Sequence, residues 1–303
     1  MISYYKNFKG REKVTEVKTG EKNTWVKVIS PNEKEIEFLE DKFKLDNPLI
    51  RDALDPNELP RIEKEGQNIY IYLRIPRSEI TDEPTVTLSI IITPQNIITI
   101  STKEIKLYDF LEEQKTKIID PEEFIVTTLY YIFKKYNDNV RKILKEVKKD
   151  RRNLSKLKNK DLLDLVLQED VLNEYIASLH PMISMYDRIL KLNLIKLANE
   201  EKEEIKDLII DLTQTFDTCK LVKKTITNMR DYYSTMVSSR INDSITILTL
   251  FTIFLTIPAV LSSIYGMNIS LPLQNNPYIF WMLGGGVIVI WAVLFKFFKR
   301  FNN

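Results

Sequence analysis

Three hydrophobic patterns follow one another along the chain. Over the first hundred residues the apolar runs are short, and where they alternate the period is two. Residues 24–30 (TWVKVIS) alternate as a strand does, while 69–75 (IYIYLRI), 86–92 and 97–100 are rich in β-branched and aromatic side chains. Thr93-Pro94-Gln95-Asn96 supplies a turn between the last two, which predicts a β-hairpin. Residues 31–45 begin with proline and space their apolar side chains as a helix does. A mixed α/β domain is expected over residues 1–120.

From about Lys106 the period becomes helical, with few breakers for over a hundred residues. Pro121, Glu122 and Glu123 open a helix that runs toward Lys149, and Asp150-Arg151-Arg152-Asn153 reads as a basic turn. A second helix is expected over about 161–197, bent if anywhere at Pro181. Residues 121–200 thus form paired helices. Asn199-Glu200-Glu201 starts a third helix that meets no proline before Pro258 and no glycine before Gly266. Its length of about 65 residues corresponds to roughly 95 Å. Such a helix overruns a small domain, so residues 201–244 are expected to be a stalk leading into a membrane.

The third pattern is the absence of charge. No charged side chain occurs between Asp243 and Lys296. Two apolar runs, 245–264 and 278–295, flank Tyr265-Gly266-Met267-Asn268, and each is close to the about 20 residues that cross a bilayer as a helix. The expected hairpin has a first span over 245–265, an outer loop over 266–277, a second span over 278–298 and a basic tail over 299–303. Over the whole chain the net charge is only +2 at 28% charged residues, an average that conceals this split. Arg240 precedes the first span, Lys296, Lys299 and Arg300 follow the second, and the loop has no basic residue. By the positive-inside rule both termini face the cytoplasm and the loop faces out, with the cell (plasma) membrane as the expected location. Met1-Ile2-Ser3-Tyr4-Tyr5-Lys6 lacks the basic-then-apolar layout of a signal peptide, which agrees.

On a helical wheel Thr246, Thr249, Thr252, Thr256 and Ser263 fall within an arc of about 120°, with Phe251, Phe254, Leu255 and Leu261 opposite. Toward the cytoplasm Ser238, Thr235 and Asp231 stay within about 40° of Asn242. A single span threonine ordinarily bonds its own i−4 carbonyl and packs at a helix interface. Five hydroxyls on one stripe, continuous with Asn242 and Asp231, predict a water-lined path instead. Ile245, Ile253 and Val260 share the arc and are candidates for dry collars that gate by dewetting. One hairpin cannot enclose water, so first spans of several copies are expected around a shared axis. Pro258 frees the Phe254 carbonyl, which a cavity or neighbour compensates, or it is only a kink. A ring of Asn268 amides at the outer end suits a cation that sheds water reluctantly, as Mg²⁺ does.

Several function classes drop out. Seven glycines, three of them consecutive within the second span, leave no Gly-rich phosphate loop. One cysteine, Cys219, excludes an intramolecular disulfide and a cysteine-built zinc site. The single histidine, His180, stands beside Pro181 as a structural residue, and no nucleophile–base spacing appears, so no enzyme is expected. The lysines around residues 150–160 alternate with leucine as a solvated helix face does, and no nucleic-acid partner is expected.

Gly266-Met267-Asn268 at the end of the first of two C-terminal spans, with Tyr265 before it and a basic end after it, resembles the CorA family of magnesium transporters. The likeness covers the whole chain and extends to Leu59-Pro60-Arg61-Ile62-Glu63, to residues 69–76 and to Pro181. The resemblance implies an α/β cytoplasmic domain, long helices and a transmembrane hairpin assembled as a homopentameric funnel in the lipid bilayer. It implies that Gly266, Met267 and Asn268 form the outer selectivity ring for the transported divalent cation, Mg²⁺. Counted back without gaps, the family's pore-lining positions fall on Ala259, Thr256, Thr252, Leu248, Ile245, Asn242 and Asp231, and Thr249 joins them from the wheel. A regulatory Mg²⁺ site maps to Asp207, with a partner near Asp82. The chain departs from the family in an uncharged loop after Asn268, in Pro258 standing one residue late, and in the basic rather than acidic helix connection. Co²⁺, Ni²⁺ or Zn²⁺ transport by the same architecture, and a non-conducting membrane-anchored sensor or scaffold, are the alternatives; Met267 argues against zinc.

Overall fold

The computed structural model describes residues 1–7, 14–18, 20, 22–77, 83–117, 120–154, 159–192, 195–273 and 275–301, and at 7, 14, 159 and 297–301 it describes the backbone alone. It divides into two compact units, Met1–Arg230 and Asp231–Asn303.

In the first unit seven strands form one sheet. They are β1 (Ile2–Asn7), β2 (Val14–Val17), β3 (Thr24–Ile29), β4 (Arg61–Glu65), β5 (Asn68–Pro76), β6 (Thr85–Ile92) and β7 (Asn96–Ser101), in the spatial order β2-β1-β3-β7-β6-β5-β4. Every pairing is antiparallel except that of β3 with β7, where Thr24 lies opposite Asn96 and Ile29 opposite Ser101. The expected hairpin joins β6 to β7, and Thr93 closes it by accepting from the Asn96 amide through Oγ1 at 2.9 Å.

Both faces of the sheet are covered, and β5 records this in its side chains. Ile69, Ile71, Leu73 and Ile75 point into one core, Tyr70 and Tyr72 into the other. That is why the strand reads as a continuous apolar run rather than an alternating one. The Tyr core is closed by α1 (Glu33–Phe43) and α2 (Asn47–Asp52). Residues 31–45 therefore hold a shorter helix than their pattern predicts: Lys44 turns left-handed at φ 54°, and Asp46 caps α2 by accepting from the Leu49 amide. The tyrosine hydroxyls find partners in this layer, Tyr72 donating to the Leu49 carbonyl at 2.7 Å and Tyr70 accepting from the Asp46 amide at 3.0 Å.

The opposite face carries α3 (Leu107–Glu113), α4 (Pro121–Arg152), α5 (Asn159–Leu192) and the first part of α6 (Asn199–Tyr265). The basic turn expected at residues 150–153 is mostly the last turn of α4, where Lys149, Arg151 and Arg152 complement the helix dipole. Arg74 of β5 ties the sheet to this layer. Only 7% exposed, its guanidinium donates to Thr85 Oγ1 and to Glu174 Oε1 of α5 at 2.5 Å, and to the Pro56 carbonyl. His180 is exposed and its ring stacks on Phe216 of α6 with centroids 5.6 Å apart.

α6 holds this layer through Ile205, Leu208, Leu212, Thr215, Cys219, Val222, Ile226 and Met229, all buried at alternating spacings of three and four. That repeat keeps one seam on a neighbour, as in coiled coils. It stops at Met229, and no residue of α6 from Arg230 to Tyr265 is buried. Burial pushes the Cys219 thiol up to about 12, so at neutral pH it stays protonated and inert. We expect no maleimide adduct at Cys219 in the folded protein at pH 7.5, and full reaction after denaturation, by intact-mass measurement. Glu174→Ala leaves the buried Arg74 guanidinium without its carboxylate and is expected to destabilise by about 2 kcal/mol, read as a lowered thermal midpoint that Glu174→Gln partly restores.

Candidate ion pathway and metal sites

The second unit holds the end of α6 and α7 (Ile279–Phe301), both long and apolar enough to cross a membrane. Phe254 of α6 meets Trp291 of α7 edge-on, with ring centroids 5.4 Å apart and planes at 70°. Leu250, Ile253, Phe254, Ile257 and Leu261 are half-buried at helical spacing on that side of α6, and Val287 is the one buried residue among the described side chains of α7. This seam was not anticipated; its signal was the pair of aromatics on two uncharged runs. Ile253, a candidate collar, lies at its edge, whereas Ile245 and Val260 stay at least half exposed.

Thr249, Thr252 and Thr256 lie roughly 120° round the helix from that seam, and Thr246 stands at its edge beside Ile253. Thr246, Thr249, Thr252 and Thr256 are all exposed in the single chain, as are Asn242 and Asp231 below them and Leu248 and Ala259 beside them. Each threonine hydroxyl donates to the carbonyl four residues back: Thr246 to Asn242 at 2.9 Å, Thr249 to Ile245 at 2.8 Å, Thr252 to Leu248 at 2.9 Å and Thr256 to Thr252 at 2.7 Å. Thr235 does the same to Asp231 at 3.0 Å. The ordinary local bond of a span threonine is therefore present at every one of these positions. Its chemical consequence is specific. With the proton committed to the helix, each oxygen turns only lone pairs outward, so the stripe offers acceptors and no donors.

α6 ends at Tyr265. The Gly266 amide donates to the Ser262 carbonyl at 2.9 Å, and a Cβ at Gly266 would lie 3.2 Å from that oxygen, tighter than a side chain comfortably allows. Glycine therefore lets the chain leave the helix close to its own last turn. Met267 and Asn268 follow, both exposed, and among the described residues the Asn268 amide has no hydrogen-bond partner. Tyr265 anchors the returning loop by donating to the Pro272 carbonyl at 3.3 Å, and Asn276 turns the chain just before α7 by accepting from the Tyr278 amide at 2.9 Å.

In the first unit Asp207 is exposed on α6 and lines a depression of about 390 Å³ with Glu204, Asp211, Gln114 and Tyr130. Its proposed partner Asp82 falls outside the described residues. No group of three or more His, Cys, Asp or Glu among the described residues is arranged to hold a metal ion. Lys296 is exposed; Lys299 and Arg300 belong to α7, with their side chains outside the described set.

A family model described as CorA-like Mg²⁺ transporter protein matches residues 20–300. The chain belongs to this family. It is a membrane protein of an ion-transporter family, not an enzyme. This CorA-family chain is 27% identical over 293 residues to the cobalt/magnesium transport protein CorA of Methanocaldococcus jannaschii, covering 91% of this chain and 90% of that one. The complete structure of the CorA magnesium transporter from that organism aligns with a TM-score of 0.83 at 22% identity, over 99% of this chain and 98% of the other. The full-length CmaX protein aligns at 0.77 and 17% identity, over 99% and 97%. These likenesses establish the fold: an α/β domain, long helices and two apolar C-terminal helices.

Because Cys219 is buried, the native chain is a silent background for placing reporter thiols. Thr252→Cys and Thr256→Cys are expected to react with a water-soluble methanethiosulfonate in lipid, whereas Ile247→Cys, exposed on the opposite face, is expected to react at least about tenfold more slowly. Equal rates at all three positions would show that the stripe does not face water.

Proposed function

We propose that the chain is the subunit of a homopentameric Mg²⁺ channel of the cell membrane, with both termini in the cytoplasm. Five first spans surround one axis, and Mg²⁺ passes inward along Asn268, Thr256, Thr252, Thr249, Asn242 and Asp231. The observation that carries this reading is the acceptor-only stripe. A cation that keeps its water shell needs oxygen lone pairs to receive the protons of that shell, and the threonine oxygens supply them together with the amide oxygens of Asn268 and Asn242. Asn268 at the outer end supplies an amide with no competing partner, and its backbone is brought round by Gly266. Ala259, Leu248 and Ile245 are the apolar rungs between acceptors. At such rungs the path can empty of water and close.

The driving force is the membrane potential, worth about 4.6 kcal/mol per 100 mV for a doubly charged ion. No coupled ion or nucleotide is needed. Asp207, with Glu204 and Asp211 one turn to either side, gives each subunit a carboxylate row on α6. Bound Mg²⁺ bridging Asp207 to a neighbour's Asp82 favours the closed pentamer, which makes intracellular Mg²⁺ its own inhibitor. Lys296, Lys299 and Arg300 mark the cytoplasmic boundary of the second span.

Co²⁺ is the second reading, favoured by the relative from Methanocaldococcus jannaschii whose name includes both metals. The two ions are hydrated octahedrally, and a path that recognises the water shell discriminates weakly between them.

In cells stripped of their own Mg²⁺ uptake, wild type is expected to restore growth at low Mg²⁺ and Asn268→Ala to fail, with uptake reduced at least about tenfold, the loss of roughly 1.4 kcal/mol of ion recognition. Undiminished uptake by Asn268→Ala would refute the outer ring. High Mg²⁺ is expected to slow proteolysis of wild type but not of Asp207→Ala; equal protection would refute the regulatory site.

A further inference from the structure

The end of α4 carries a charge that the rest of the chain does not share. Between Arg141 and Arg152 there are seven basic side chains and two carboxylates, a net of +5 in a chain whose total is +2. Arg141, Lys145, Lys148 and Arg152 follow at spacings of four, three and four, which puts them within about 60° of one another round the helix. All four are exposed, and with Lys142 and Lys149 they line an open groove of about 900 Å³.

Local carboxylates do not neutralise the stripe. Glu146 accepts from Gln168 of α5 at 2.7 Å. Asp150 lies beside Asp161 and Asp164 of α5, and burial together with their charges outweighs the nearby Lys149 charge and holds its carboxyl above the ordinary value. Among the described residues, none of the seven basic side chains forms an ion pair, and Arg141 is held only by the neutral Asn137 at 3.1 Å. Apart from that one amide contact, the seven guanidinium and ammonium groups are left to solvent or to a polyanion.

Position selects the polyanion. Glu169 of α5 pairs with Arg230, the last residue of the first unit, at 2.5 Å. α5 begins at Asn159 and α4 ends at Arg152, so their junction lies at the same end of the unit as Arg230. Only residues 231–243 then separate that exit from the charge-free stretch. A short tether of this kind raises the effective concentration of whatever the span is embedded in. Phosphate-bearing lipid headgroups are the polyanion present there at all times, and the basic residues flanking the spans set the same side of the membrane.

We propose that the basic stripe Arg141–Lys145–Lys148–Arg152 of α4 docks on anionic lipid headgroups of the membrane into which the chain is inserted. The proposal rests on the two-span reading but not on ion conduction. Lysines near an anionic surface gain about fivefold in occupancy each, an effect that salt removes.

The test places the full chain in nanodiscs of phosphatidylcholine alone or mixed with phosphatidylglycerol and follows amine-reactive labelling residue by residue. Lys145, Lys148 and Lys149 are expected to label at least about threefold more slowly in the anionic discs, with the difference lost at high salt. Lys34, exposed on α1, is the internal control and is expected not to change. Equal labelling in the two lipids overturns the proposal. So does equal protection in phosphatidylcholine discs by inorganic phosphate, which would mark a small-anion site, or by a single-stranded RNA. Lipid-dependent protection in a protein that moves no Mg²⁺ supports the docking site and leaves only the conduction reading in question.

Discussion

A hydroxyl proton in hydrocarbon has to be donated somewhere, and in α6 every span threonine among 246, 249, 252 and 256 donates it to the carbonyl four residues back. That bond satisfies the helix, so the stripe is compatible with a lipid-embedded segment. It also fixes what the helix shows to its surroundings. Four oxygens with free lone pairs and no available proton form a surface for the hydrogens of a hydrated cation. Lipid gives such a surface nothing, and α7 is packed elsewhere, through Phe254 and Trp291. In the proposed assembly, further copies of α6 around a shared axis supply the missing cover.

One helix therefore carries two patterns in succession. Up to Met229 it is a seam with three–four spacing, buried against the α/β unit and closed around Cys219. Beyond it the apolar residues turn outward and the polar ones gather into a stripe. The change occurs at Arg230, which Glu169 of α5 holds in place at the end of the first unit. Asp207 lies within the seam segment but on its exposed side.

The parts legible in the sequence were those governed by a single local rule. The charge-free stretch, the β6–β7 turn, the start of α4 at Pro121 and the unbroken length of α6 each follow from composition or from one breaker. The strands β1, β2 and β4 were not legible. Arg61-Ile62-Glu63-Lys64-Glu65 is an edge strand whose charges guard an open side, and those same charges erase its strand pattern. The parallel contact of β3 with β7 joins segments seventy residues apart, and no local signal encodes it. At the site, the wheel gathered the hydroxyls into one stripe, but it could not say where each proton goes. That depends on rotamers, and it turns a generic threonine habit into an acceptor-only face. The basic groove on α4 did not stand out in the sequence beyond Arg152, because its place at the end of the first unit is a tertiary fact.

Conduction itself is the central claim, and potential-driven flux tests it without reference to any partner. Purified protein in liposomes loaded with a Mg²⁺ indicator is given a potassium diffusion potential, negative inside, with Mg²⁺ outside. The predicted result is an inward Mg²⁺ flux that grows with the imposed potential and stops when the potential is collapsed. Liposomes that hold folded, oligomeric protein yet admit no Mg²⁺ at any potential would contradict it.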